Sequence, residues 1–183
     1  MAHDTHKKYT VDEFYSMDLP ERCELINGDI VDMSPSPNQR HQTLLGGIFA
    51  EIRSYIKKNG GKCIPFITSD VKLNDSTTIV PDIYVTCTPD KLDGQRHVGA
   101  PDWVIEIVSP YNISMDYVTK LSLYHAHGVR EYWIIDPSSK QVHVYVWDNE
   151  ESVVKAYSFE EEITAFIYKD NENPLTLRIS DLL

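Results

Sequence analysis

No stretch of the 183 residues approaches the roughly 18 to 20 uninterrupted apolar residues that a membrane-spanning helix needs. The N-terminal MAHDTHKK also lacks the apolar core of a secretory leader, so a cytoplasmic protein with no membrane partner is expected. Cysteine is scarce. Cys23, Cys63 and Cys87 are odd in number, far apart and without a C-x-x-C pair, which disfavours zinc or a redox centre and predicts reduced, mostly buried thiols. Basic residues are the other shortage: 17 Lys and Arg stand against 28 Asp and Glu, a formal net charge of -11. Such a chain has no global positive field, so tight, non-specific binding of duplex nucleic acid is disfavoured unless a local patch or a metal neutralises the phosphates. The deficit is concentrated in residues 148–183, with nine acids and three bases.

What is present is 42% hydrophobic content in a length that suits one domain, 1–183, with a core over about 22–147 and an acidic C-terminal extension over 148–183. Thr10-Val11-Asp12-Glu13 has the T-x-x-E form of a capping box and predicts a short helix to about Met17. In CELINGDIVDM, Asn27-Gly28 separates two alternating segments and accepts the positive φ angles of a hairpin turn. SPSPN (34–38) reads as a rigid polar loop whose last residue, Asn38, can cap a helix. From Gln39 to Asn59, Leu44, Leu45, Ile48, Phe49, Ile52, Tyr55 and Ile56 recur at helical spacing, and Lys57, Lys58 and Gly60 close the segment. Strand-like pieces follow at Lys62 to Thr68, around Val71 to Leu73, and in TTIVPDIYVT (77–86). After WVIEIVSP (103–110), a helix capped by Ser114 should run to Gly128, followed by a buried strand in REYWIIDP and the period-two strand QVHVYVW. The order predicts a mixed α/β (α+β) fold: a mixed β-sheet flanked by helices, with an N-terminal hairpin and a C-terminal β-meander.

Two acids interrupt otherwise apolar strands, Asp82 in IVPDIYV and Glu106 in WVIEIVS. An ionised carboxylate left unpaired in a core costs several kcal/mol or more, so each acid must be paired, neutralised or directed at a cation. If the strands are neighbours, both acids can face one cleft and a hard divalent cation can bind both. The competing expectation is structural: Asp82 at a turn, Glu106 in an ion pair with a neighbour such as Arg130.

These stretches taken together, ELINGDIVDMSPSPNQRHQ, VPDIYV, PDWVIEIVSP and DYVTKLSLYHAHGVREYWIIDP, resemble the Uma-type endonuclease family of the PD-(D/E)xK, restriction endonuclease-like superfamily. The resemblance covers roughly Tyr9 to Tyr145. It implies a restriction endonuclease-like fold and hydrolysis of phosphodiester bonds of DNA. Pro81-Asp82 takes the PD position and Glu106 the second acid, with Asp82, Glu106 and the Ile107 carbonyl holding Mg²⁺, or Mn²⁺ in its place. Val108 stands where the superfamily has lysine, as in relatives with a migrated lysine, and Lys120 on the following helix is the replacement expected to orient the attacking water or stabilise developing charge. Its other reading is an ordinary surface pair with Asp116 at i, i+4. Glu24 matches the acid that precedes the first core helix; alternation alone would make it a solvent-facing strand residue.

Arg40 and His41 open the long helix, where free N–H groups and the dipole favour anions, and are expected to meet substrate phosphate. His125 and His127 lie about 200° apart around a helix and cannot share a metal; neither they nor His143, His3 and His6 are assigned as ligands. A homodimer is expected for cleavage of both strands, with Tyr145, Trp147 and Tyr157 as a face that could form it or complete the core. The alternative function is a nuclease-like module that binds nucleic acid or protein without cutting.

Overall fold

The computed structural model describes residues 7–19, 22–33, 38–109, 113–148 and 152–183. His3, His6 and most of the SPSPN loop lie outside them. The first helix, α1 (Val11–Tyr15), has the complete capping box, with the Thr10 side chain accepting from the Glu13 N–H and the Glu13 carboxylate accepting from the Thr10 N–H. Strands β1 (Cys23–Ile26) and β2 (Asp29–Asp32) form the expected hairpin, turned by Asn27 and Gly28 at φ 51° and 82°. Helix α2 (Gln39–Asn59) starts on Asn38, whose side chain accepts from the His41 N–H, and ends on left-handed Gly60.

Then come β3 (Ile64–Ile67), β4 (Val71–Asn74), β5 (Thr77–Ile79), β6 (Ile83–Thr86), β7 (His97–Val98) and β8 (Trp103–Ile107). TTIVPDIYVT is therefore two strands. The chain breaks at Val80-Pro81-Asp82, where proline has no N–H to give a ladder, and passes from one sheet to another. The first sheet has the order β2-β1-β5-β4-β7. The second runs β11-β10-β9-β8-β6-β3, with β9 (Glu131–Asp136), β10 (Gln141–Trp147) and β11 (Ser152–Ser158). Within it only β8 and β9 pair in parallel. Their crossover carries a π-helical segment, Met115–Lys120, which continues into α3 (Leu121–His127) and stops at left-handed Gly128. Ser114 makes no side-chain capping bond.

The sheet is covered on both faces. On one, α2 packs Leu44, Ile48 and Ile52 against Trp103, Ile105, Trp133 and Ile135. On the other, Val104, Val108, Tyr132 and Ile134 meet Ile79 and Val71 of the small sheet and Leu123 and Tyr124 of α3. Period-two alternation thus sends Glu106 and Val108 to the same face, toward α3. The acidic C-terminal stretch also enters the core: Phe159, Ile163, Ala165, Leu177 and Ile179 are buried with the α2 face, and β12 (Ile163–Thr164) pairs with β13 (Thr176–Leu177). Glu131 ties this stretch down, accepting from the N–H groups of Phe166 and Ile167 at 2.8 and 3.0 Å and from Trp133 Nε1 at 2.7 Å.

The expectation of reduced thiols is corrected at two positions. Cys63 and Cys87 form a disulfide, because each lies one step beyond the paired residues Ile64 and Thr86 of adjacent strands. Neighbouring strands bring together cysteines that are 24 residues apart. Tyr145 and Trp147 stack with Tyr132, Trp147 also with His125, while Tyr157 packs on the α2-side core.

Candidate functional site

The two acids come together because β6 and β8 are antiparallel neighbours, with Ile83 opposite Ile105. One step further, Asp82 meets Glu106: its N–H donates to Glu106 Oε2 at 3.3 Å, and its own Oδ2 accepts from the Ile107 N–H at 2.8 Å. Both line a cleft of about 110 Å³ that also includes Glu24, His41, Asp116, Lys120 and Arg22. Val108 is buried in the apolar cluster below. The amine comes from the crossover helix instead.

Lys120 Nζ donates to Glu106 Oε1 at 2.8 Å and lies 3.5 Å from Glu24 and 3.9 Å from Asp116. Lys120 is 7% exposed and Glu106 3%, so this is not a surface i, i+4 pair; Asp116 is the most distant of the three carboxylates. Arg130 does not serve Glu106; it lies 3.5 Å from Asp102. Glu24 is buried rather than solvent-facing, and its Oε1 accepts from the Val80 N–H at 2.9 Å. The break after β5 is thereby fixed to the hairpin.

Three carboxylates around one ammonium leave the cluster short of positive charge. Burial pushes the Glu106 carboxyl up to about 8; Lys120 pulls it down, while Asp82 and Asp116 push it further up. Asp116 is raised to about 6, again by burial first. Burial alone would lower the Lys120 pKa, but Glu106, Glu24 and Asp116 outweigh it and hold the ammonium well above its usual value. The cleft is therefore short of positive charge that a divalent cation could supply.

His41 does not project from the helix start toward solvent. It is buried, with Nε2 3.1 Å from Asp82 Oδ2. Burial opposes its protonation, but the hydrogen bond and charge of Asp82 more than compensate and raise its pKa. Arg40, its neighbour, is exposed and outside the cleft lining. Two further residues belong to the cluster that sequence alone does not place there: Asp116, which spacing presents only as a helix-surface partner, and Tyr124, whose hydroxyl donates to Glu106 Oε1 at 2.7 Å. The signal was the run Asp116, Lys120, Tyr124, polar groups four apart that share a helix face.

The donor set suits a hard cation, since Asp82, Glu106 and the Ile107 carbonyl offer only oxygen. Among the described residues no three His, Cys, Asp or Glu side chains are gathered as a ready ligand group.

A family model described as "Uma2: Putative restriction endonuclease" matches residues 11–167. Among solved structures, the crystal structure of "a putative nuclease belonging to DUF820 from Anabaena variabilis ATCC 29413" is similar, with a TM-score of 0.74 and 27% identity over 94% of this chain and 96% of that one. No curated protein matches.

Proposed function

The chain belongs to the Uma2 family, and from that premise we propose that it is a divalent-metal-dependent endonuclease that hydrolyses phosphodiester bonds of DNA. The observation that carries the reading is the arrival of Lys120 at Glu106, 2.8 Å away, in the cleft that Asp82 enters from the neighbouring strand. An acid pair with a lysine is what the reaction requires: charge neutralisation at phosphate, an oriented water, and a cation for the developing negative charge.

Asp82, Glu106 and the Ile107 carbonyl would hold Mg²⁺, with Mn²⁺ as a substitute. When bound, the ion screens the phosphate charge and acidifies water. Lys120 orients the attacking water and stabilises the negative charge that builds on the phosphoryl oxygens. The water oxygen joins phosphorus as one P–O bond breaks; its proton leaves to the carboxylate cluster or solvent, and the departing oxygen takes up a proton. Glu24 holds Lys120 from the second side. His41 steadies Asp82, and the exposed Arg40 next to it in sequence meets the backbone of the DNA. Two copies of the chain would supply the two sites that cutting both strands requires, in the cytoplasm.

The cluster also suits a second reading, a structural ion-pair network in a module that binds without cutting, because Lys120 is already satisfied by carboxylates. Plasmid and single-stranded DNA incubated with the protein in Mg²⁺ or Mn²⁺ separate the two. Cleavage that disappears in Asp82→Ala, Glu106→Ala and Lys120→Ala supports the nuclease. Cleavage that survives all three changes removes the assignment.

A further inference from the structure

Glu106 Oε1 receives two hydrogen bonds at once, from Lys120 Nζ at 2.8 Å and from the Tyr124 hydroxyl at 2.7 Å. Its other oxygen, Oε2, has only the longer contact of 3.3 Å with the Asp82 N–H. A carboxylate oxygen has about two lone-pair sites, so Oε1 is filled and Oε2 is the oxygen with capacity left. We propose that Tyr124 is a positioning residue that, with Lys120, occupies one oxygen of Glu106, restricts it to binding a divalent cation through the other, and so favours Mg²⁺ over Ca²⁺.

The arrangement is built into the crossover helix. Lys120 ends the π-helical segment and Tyr124 lies one turn later in α3, so both reach the same face of β8. Tyr124 is fully buried, and its ring packs at 4.8 Å against Tyr132, whose hydroxyl in turn donates to the Asp116 carbonyl at 3.1 Å. A phenol is protonated at neutral pH, so the Tyr124 hydroxyl is a donor. The chemical consequence lies in the ion. Ca²⁺ is large and readily takes a carboxylate through both oxygens, whereas Mg²⁺ demands near-octahedral geometry and takes one. A Glu106 with Oε1 already bonded is matched to the smaller ion.

This inference rests on the cation site proposed above and is tested by calorimetric titration of the full chain with MgCl₂ and CaCl₂. Tyr124→Phe keeps the ring and removes the donor. Its Mg²⁺ affinity should fall about tenfold, as for loss of other hydrogen bonds behind metal ligands, and its Ca²⁺ affinity should fall less, so the Ca²⁺/Mg²⁺ affinity ratio rises. Tyr132→Phe, which loses a buried hydroxyl bond to the Asp116 carbonyl and none to Glu106, should leave the ratio unchanged. An unchanged ratio in Tyr124→Phe, or the same change in both variants, overturns the positioning role while Glu106→Gln still weakens binding. Glu106→Gln binding as tightly as wild type, or a wild-type chain that binds neither ion, overturns this inference and the proposed cation site together.

Discussion

Lys120 Nζ sits 2.8 Å from Glu106 Oε1 across 14 residues of chain, on a side chain almost wholly removed from solvent. The lysine does not come from the strand that carries the acid. It comes from the helix that crosses over to the next parallel strand, and position 108, two residues after Glu106 on the same face, is given to an apolar contact instead. Moving the amine to the crossover helix brings Asp116 and Tyr124 with it, four residues to either side. One helix face thus supplies an ammonium and a carboxylate to the cleft and a phenol to Glu106.

Lys120→Met should abolish the ammonium without opening a cavity. Removing one partner of a buried ion pair costs about 3 to 5 kcal/mol, and losing the group that stabilises developing charge costs about 10²- to 10³-fold in kcat. Urea denaturation and plasmid cleavage should show both losses. Lys120→Arg keeps the charge but changes its shape and reach, and should recover stability more than activity. Full activity in Lys120→Met would leave the network purely structural.

The metal-free protein should lose stability as the pH rises from about 5 to 8. Glu106 at about 8 and Asp116 at about 6 in the folded chain lie above their ordinary values of 4.5 and 3.8. Between those limits the folded chain keeps protons that the unfolded chain has released. Their stabilisation is therefore complete below the unfolded values and is lost as pH climbs through the folded ones. Glu131, raised to about 7 chiefly by burial, adds in the same direction. Glu106→Gln removes the largest of these titrations and should flatten the upper part of the Tm-against-pH curve, as should saturating Mg²⁺ in the wild type. Parallel curves for wild type and Glu106→Gln would contradict the assignment.

The elements set by local chemistry were legible in the sequence. Thr10 with Glu13, Asn27-Gly28 and Asn38 each mark a turn or cap through their own backbone, and each does so in the structure. The interrupted strands also announced their acids. What the sequence hid was set by partners far along the chain. The switch between sheets at Pro81 depends on Glu24 accepting from Val80. The disulfide depends on β3 lying beside β6. His41 presents itself locally as a helix-start anion contact, because nothing near it in sequence shows that Asp82, 41 residues later, lies against its ring. The π-helical winding of Met115–Lys120 was likewise invisible, since helical spacing alone predicts an ordinary α-helix.

His41 and Arg40 are adjacent in sequence and should differ in kinetics. His41→Gln loses the basic partner of Asp82 and should lower kcat and weaken Mn²⁺ binding by about 10- to 100-fold, with little change in KM for DNA. Arg40→Ala should raise KM and reduce the salt dependence of DNA binding by about one charge, leaving kcat in place. Initial rates over a range of DNA and salt concentrations make the comparison. A pure KM effect for His41→Gln would restore it to the role of phosphate contact.

The C-terminal acidic stretch should behave as part of the core despite its charge. Phe159 is 2% exposed within the α2-side cluster, so Phe159→Ala should cost about 3 to 5 kcal/mol. Glu131→Ala leaves the Phe166 and Ile167 N–H groups without their acceptor, and each buried donor left unsatisfied costs about 1 to 3 kcal/mol. Both variants should lower the urea midpoint, while the cleavage rate per folded molecule stays at the wild-type level, because neither residue lines the cleft. An alanine at both positions with an unchanged midpoint would mean that residues 159–179 lie on the core without holding it together. A loss of activity in the folded fraction would instead couple this face of the sheet to the cleft on the other, through β8 and β9 that share both.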